Sequence, residues 1–299
     1  MTILKAIAEN KKIKKPIIYG IAGLSLLDEE KYFFASAGAL GFILFSRNIE
    51  NSVQVKKLIN SLKELMEGEV LILIDQEGGR VARLRGEDWH NSPPAAHFAA
   101  LYQKNKIQAL QNCYDNAAKI ARDLFALGIN VNCAPVLDIL TLKTHHIIGD
   151  RAFGSNAAQV IDLAKEVCRA FLDHKIYPVI KHIPGHGRAG ADSHLELPIV
   201  NISLAELERS DFLPFIALAD MKFAMTAHIL YGQIDDLFPA TISPKIIDLI
   251  RNKIGFKNIL ISDDISMKAL SGSLADLCRS AIVAGCDGGR DHAGSRRQT

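Results

Sequence analysis

Short apolar runs alternate with longer amphipathic stretches along most of the chain. Seven runs are almost wholly apolar: residues 17–22, 41–45, 70–74, 129–133, 177–180, 223–227 and 258–261. Runs of this length predict strands buried on both faces. Between them, at 28–37, 53–66, 107–127, 157–174, 204–219, 244–254 and 274–284, apolar residues recur at helical spacing. Ser203 with Glu206 close behind, and Ser243 followed by Pro244, mark helix starts. Strands alternating with helices predict parallel βαβ units. Seven of them favour a TIM-like (β/α)8 barrel over an open doubly wound sheet.

The pattern fails at the end. Residues 288–299 (GGRDHAGSRRQT) carry no apolar period and read as a frameshifted or disordered segment. The expectation is a catalytic barrel over 1–287 that lacks its last strand and helix. An aberrant polar tail, 288–299, would lie outside it. Strands one and seven would then leave open edges, and stability would fall.

Polar residues gather where the apolar runs stop. Run three leads into Asp75-Gln76-Glu77-Gly78-Gly79-Arg80, run four into Ala134 to Asp138, and run five into Lys181-His182. Run six ends in Thr226-Ala227-His228, and run seven in Ser262-Asp263-Asp264. One such aspartate is more often a helix cap than a catalyst. Five successive strand ends with polar groups point to a site at one mouth of the barrel. Two irregular stretches, 87–96 and 140–153, are long enough to reach over that mouth.

The richest stretch is KHIPGHGRAGADSHLELP, residues 181–198. Its prolines and glycines exclude a regular element. His182 and His186 have the spacing of a helical metal pair, but Pro184, Gly185 and Gly187 deny the helix. The glycines fit neither a Walker nor a dinucleotide loop, and no G-x-S-x-G elbow is present. Acid–base chemistry fits better. Asp192 can orient the His194 imidazole, which can give and take a proton near neutral pH. Asp263 or Asp264 can then serve as a carboxylate nucleophile, the logic of a retaining glycosidase.

Composition excludes other classes. A net charge of +2, with no basic stripe among aromatics, gives no reason to expect nucleic acid. No apolar run is long enough for a membrane helix. The 17–27 run after Lys11, Lys12, Lys14 and Lys15 has no clean cleavage site, so it reads as a strand start rather than a signal peptide. Five scattered cysteines form no CxxC pair and suit buried thiols in a reducing cytoplasm.

The 181–198 stretch resembles the K-H-F-P-G-H-G…D-S-H…P signature of glycoside hydrolase family 3. It is most similar to the bacterial single-domain β-N-acetylhexosaminidases of peptidoglycan recycling. ILFSRNIE (43–50), LIDQEGGRVARL (73–84), APVLDI (134–139), IGDRAFG (148–154), MTAHILY (225–231), PATIS (239–243) and ISDDISMKAL (261–270) match in the family's order. The resemblance spans roughly residues 17–287.

It implies a retaining β-N-acetylglucosaminidase that forms a covalent glycosyl-enzyme on Asp263, with His194 as acid/base and Asp192 as its partner. It further implies that Asp75, Arg83, Arg151, Lys181 and His182 bind the sugar. The implied substrate is a muropeptide, N-acetylglucosaminyl-1,6-anhydro-N-acetylmuramic acid with or without its peptide, and the implied enzyme a cytoplasmic monomer without metal or organic cofactor. Arg47 is left between a helix cap and the mouth, and His228 between a core histidine and a supporting role. Two alternatives remain: a non-catalytic sugar-binding remnant, which the tail favours, and a relative that transfers the sugar to phosphate.

Overall fold

The computed structural model describes residue 9, residues 12–193 and residues 195–291. Eight parallel strands close into a barrel: β1 (Ile17–Gly20), β2 (Gly41–Leu44), β3 (Leu71–Ile74), β4 (Val131–Asn132), β5 (Tyr177–Ile183), β6 (Phe223–Thr226), β7 (Ile259–Asp264) and β8 (Gly288–Asp291). Each strand pairs with its neighbours in chain order, and β8 returns to β1. The helices are α1 (Asp28–Ala37), α2 (Ser52–Leu65), α3 (Ala95–Lys104), α4 (Lys106–Leu127), α5 (Ala157–Asp173), α6 (Leu204–Arg209), α7 (Leu213–Ala217), α8 (Pro244–Leu249) and α9 (Leu274–Ala284).

The strand sequences explain the two-layer core. Side chains alternate across a strand, and in a barrel both faces are covered. Ile18, Ile43, Leu71, Leu73, Val131, Val179, Phe223 and Ile261 fill the barrel interior. Their neighbours Tyr19, Phe42, Leu44, Ile72, Ile74 and Leu260 point outward, into the larger core beneath the helices. Gly41 permits the close approach of β2 to β3: a Cβ there would lie 2.4 Å from the Leu71 carbonyl oxygen.

Two expected elements differ in extent. The 204–219 helix is divided into α6 and α7, with Pro214 in the first turn of the second. α3, starting at Ala95 directly after Pro93-Pro94, occupies a region read as loop up to residue 96.

The expectation of an unclosed barrel is overturned. Gly288 pairs with Ile261 of β7, and Gly289, Arg290 and Asp291 pair with Ile17, Ile18 and Tyr19 of β1. Gly288–Asp291 therefore belongs to the barrel and not to an outlying tail, so the boundary moves past 287. The reason is that a ladder consumes backbone groups, not side chains. The Gly289 N–H donates to the Pro16 carbonyl, and the Arg290 carbonyl accepts from the Ile265 N–H. The apolar faces come from the flanking strands. Among the described residues no helix follows β8, and residues 292–299 lie outside them.

Candidate active site

The carboxyl ends of the strands surround a cavity of about 210 Å³. Asp75 and Glu77 reach it from the end of β3, Lys181 and His182 from β5, Asp263 from β7 and Arg290 from β8. The 140–153 loop supplies Ile147, Ile148 and Arg151, whereas the 87–96 loop supplies no lining residue. Arg80 anchors the covering loop by donating to Asp150 and to the carbonyls of His146 and Ile147.

Charges at the mouth are tightly paired. Lys181 Nζ lies 3.2 Å from Asp75 Oδ1 and 2.6 Å from Glu77 Oε1. Arg151 grips Glu77 with two bonds of 2.7 and 2.8 Å. Asp75 Oδ2 also faces Arg83 at 3.4 Å and Arg290 at 3.3 Å. Burial opposes ionisation of both acids. For Asp75, Arg290, Lys181 and Arg83 outweigh it and hold the carboxyl well below the usual range. For Glu77, Arg151 and Lys181 bring the pKa down to about 2.

A second arrangement lies at the root of the 181–198 loop. Asp138 Oδ2 accepts from His182 Nδ1 at 2.7 Å, and its Oδ1 accepts the His186 N–H at 2.6 Å. Because a carboxylate only accepts, this bond puts a proton on His182 Nδ1. Gly187 presses the loop against its neighbour: a Cβ there would fall 1.8 Å from the Ile139 carbonyl oxygen. Arg188, on Asp211 and Glu206, pins the outer part of the loop to α6 and its C-terminal turn. His186 is buried, with Nε2 at 3.4 Å from Ser193 Oγ. Burial, then the neighbouring His182, lowers its pKa to about 4.

On the far side, Asp263 Oδ1 accepts the Asp264 N–H at 2.8 Å and lies 3.7 Å from Arg290 Nη1. Burial is outweighed there by Arg290, then by His182 and His228, and the carboxyl is held well below its ordinary range. His228 Nε2 meets the Asp264 carbonyl at 2.9 Å, and Nδ1 meets Thr241 Oγ1 at 2.7 Å. A carbonyl only accepts, so Nε2 carries the proton. His228 thus supports the Asp263–Asp264 segment from behind. Arg47 donates to the Ile21 carbonyl and stacks on Phe45, the ring that Arg83 and Arg290 of the cavity wall also face, but it does not itself line the cavity.

Of the residues singled out from sequence, Asp75, Arg83, Arg151, Lys181, His182 and Asp263 share this one cavity. Asp192 is half-buried on the same loop, where its carbonyl accepts from Leu195 and Glu196 N–H groups. His194 lies outside the described residues. Sequence reasoning did not assign Glu77, Asp138 or Arg290 to the site. The first two stand at strand ends, which was a usable signal; Arg290 had none. Among the described residues no group of three or more His, Cys, Asp or Glu side chains is placed to hold a metal ion. No described helix is long and apolar enough to cross a membrane.

Residues 22–288 match the Glycosyl hydrolase family 3 N terminal domain. The chain belongs to glycoside hydrolase family 3. A beta-hexosaminidase of Alkalilimnicola ehrlichii is 38% identical over 277 residues, covering 91% of this chain and 79% of that protein. One of Psychromonas ingrahamii is 35% identical, covering 91% and 81%. NagZ from Neisseria gonorrhoeae, solved in complex with N-trifluoroacetyl-D-glucosamine, superposes with a TM-score of 0.87 at 33% identity, covering 93% of this chain and 81% of that one. As a member of this family the chain is a glycoside hydrolase, and its relatives support β-N-acetylglucosaminidase activity.

Proposed function

We propose that the protein is a retaining β-N-acetylglucosaminidase acting on terminal β-linked N-acetylglucosamine, with a GlcNAc-1,6-anhydro-MurNAc muropeptide of peptidoglycan recycling as substrate. The observation that carries this reading is the cavity itself. It sets one lightly paired carboxylate, Asp263, opposite a wall of hydrogen-bonding groups from β3, β5 and the 140–153 loop. Asp263 attacks the anomeric carbon, and His194, oriented by Asp192, protonates the leaving oxygen and later deprotonates water. Asp75, Arg83, Arg151, Lys181 and His182 hold the sugar. As acceptors and donors facing one space, they suit hydroxyl and amide groups.

The test is release of a chromogenic aglycone from its N-acetyl-β-glucosaminide, compared with cleavage of the disaccharide substrate. His194→Ala should lose roughly 10²–10⁴-fold on the disaccharide and much less on the nitrophenyl glycoside, which needs little proton donation. Equal losses on both would make His194 structural. No release by the wild type, folded by circular dichroism, would remove the reading altogether.

A further inference from the structure

The family match ends at residue 288, two positions before Arg290. Arg290 nonetheless connects the two sides of the site. Its side chain is only 6% exposed. Nη2 donates to Asp75 Oδ2 at 3.3 Å. Nη1 lies 3.7 Å from Asp263 Oδ1 and 3.6 Å from the Met225 sulfur. Its Nε has no hydrogen-bond partner among the described residues. The backbone is fixed on the β7 side, with its N–H on Ser262 Oγ and its carbonyl on the Ile265 N–H. Asp75 is also held by Lys181 and Arg83, with Arg290 the foremost of the three charges on it. What Arg290 adds is a positive charge beside Asp263.

We propose that Arg290 is a positioning residue whose fixed charge sets the balance between formation and breakdown of the glycosyl-enzyme; this rests on the reading of Asp263 as nucleophile. Both contacts to the Asp263 carboxylate fall on Oδ1, which leaves Oδ2 as the attacking atom. In the first step Oδ2 bonds to the anomeric carbon, and the bond from that carbon to the aglycone oxygen breaks. The electron pair goes to the aglycone oxygen, which takes a proton from the acid. The carboxylate charge disappears into a neutral ester, and its attraction to Arg290 disappears with it, while the ring gains positive charge. Arg290 therefore slows this step. In the second step a water oxygen bonds to the same carbon and loses a proton to the base. The carbon–Oδ2 bond breaks, and its electron pair returns to a carboxylate that Arg290 stabilises. Arg290 therefore assists this step. The strong lowering of the Asp263 pKa, with Arg290 foremost among the charges that cause it, agrees with this coupling.

The experiment uses the full chain with Arg290→Met, Arg290→Gln and Arg290→Lys, on a nitrophenyl N-acetyl-β-glucosaminide. kcat/KM reports the first step, and kcat, with so good a leaving group, the second. In the Met and Gln variants kcat/KM should rise about tenfold or more, because a charge this close and this buried is weakly screened. kcat should fall, and mass spectrometry of quenched reactions should show the sugar accumulating on the Asp263 peptide. Arg290→Lys, which keeps the charge, should retain the wild-type ratio. If wild type turns over through Asp263 but the ratio of kcat to kcat/KM is unchanged in folded variants, the proposal falls and the function stands. If neither neutral variant folds by circular dichroism, Arg290 is structural and the proposal falls. If folded wild type and variants all fail to cleave, the nucleophile reading fails and takes the proposal with it.

Discussion

Asp75 and Asp263 are both aspartates at carboxyl ends of barrel strands, and both lie beside Arg290, yet they are loaded differently. Asp75 is 5% exposed and faces three cations, Lys181 on one oxygen and Arg83 and Arg290 on the other, at 3.2–3.4 Å. Asp263 is 16% exposed, and the cation paired with it among the described residues, Arg290, stands off at 3.7 Å, on the oxygen that also accepts the Asp264 N–H. An ionised carboxyl offers about four lone-pair positions. Both oxygens of Asp75 face cations, whereas both contacts of Asp263 fall on Oδ1, which suits its proposed role as nucleophile. On the proposed mechanism, the same residue type at the same end of the barrel serves as a fastener or a reagent according to how its oxygens are occupied.

Exchanging the two by mutation should break the comparison cleanly if it is wrong. Asp263→Ala should lower kcat at least roughly 10³-fold, the scale seen when a nucleophilic machinery loses one member. Its urea midpoint should stay near wild type, because Arg290 keeps Asp75. Retained turnover in Asp263→Ala, with loss only in Asp264→Ala, would move the nucleophile by one residue. Asp75→Ala should do the reverse to stability. It leaves Arg83 and Arg290 without their common acid, and breaking a buried ion network costs about 3–5 kcal/mol. Lys181 would retain Glu77. A urea midpoint unchanged by Asp75→Ala would mean that the three-cation cluster does not hold the mouth together.

The same contrast shows what was readable beforehand. Asp75, Lys181 and Asp263 were legible because each stands where an apolar run stops, and that position is local information, whereas Arg83 came from the family resemblance. Their partners were not, because pairing depends on how the barrel closes. Arg151 was read as a sugar ligand, and it does line the cavity, but both its bonds to a carboxylate go to Glu77, 74 residues away. Asp138 was visible as a strand-end acid, while its bond to His182 across 44 residues was not. β3 (LILI) announces itself by four apolar residues, buried alternately on both faces. β8 (GGRD) has none. It occupies an equivalent place because its neighbours already supply the apolar faces and need only its backbone. Hydrophobic pattern is thus a sufficient sign of a barrel strand, not a necessary one. Arg290 was missed for the same reason.

The smallest expected effect separates the loop from the cluster by pH. His186 has its pKa lowered from 6.5 to about 4, by burial and then by the charge of His182. The fold therefore favours the neutral imidazole. That contribution is complete above pH 6.5 and is lost as pH falls from 6.5 towards 4. Glu77 is lowered from 4.5 to about 2, with Arg151 and Lys181 outweighing burial. Its contribution is complete above pH 4.5 and is lost between 4.5 and 2. Each shift corresponds to roughly 3 kcal/mol by linkage, and both make the protein less stable as acid is added. The two windows differ, so unfolding free energies in urea, measured from pH 7 down to 3, should decline in two stages. His186→Gln should flatten the slope between pH 6.5 and 4.5 and leave the lower stage in place. Glu77→Gln should shrink the lower stage, to which Asp75 and Asp263 also contribute, and leave the upper. A wild type whose stability is constant from pH 6.5 to 5 would mean that His186 is already protonated in the fold, held by Asp138 rather than excluded by burial.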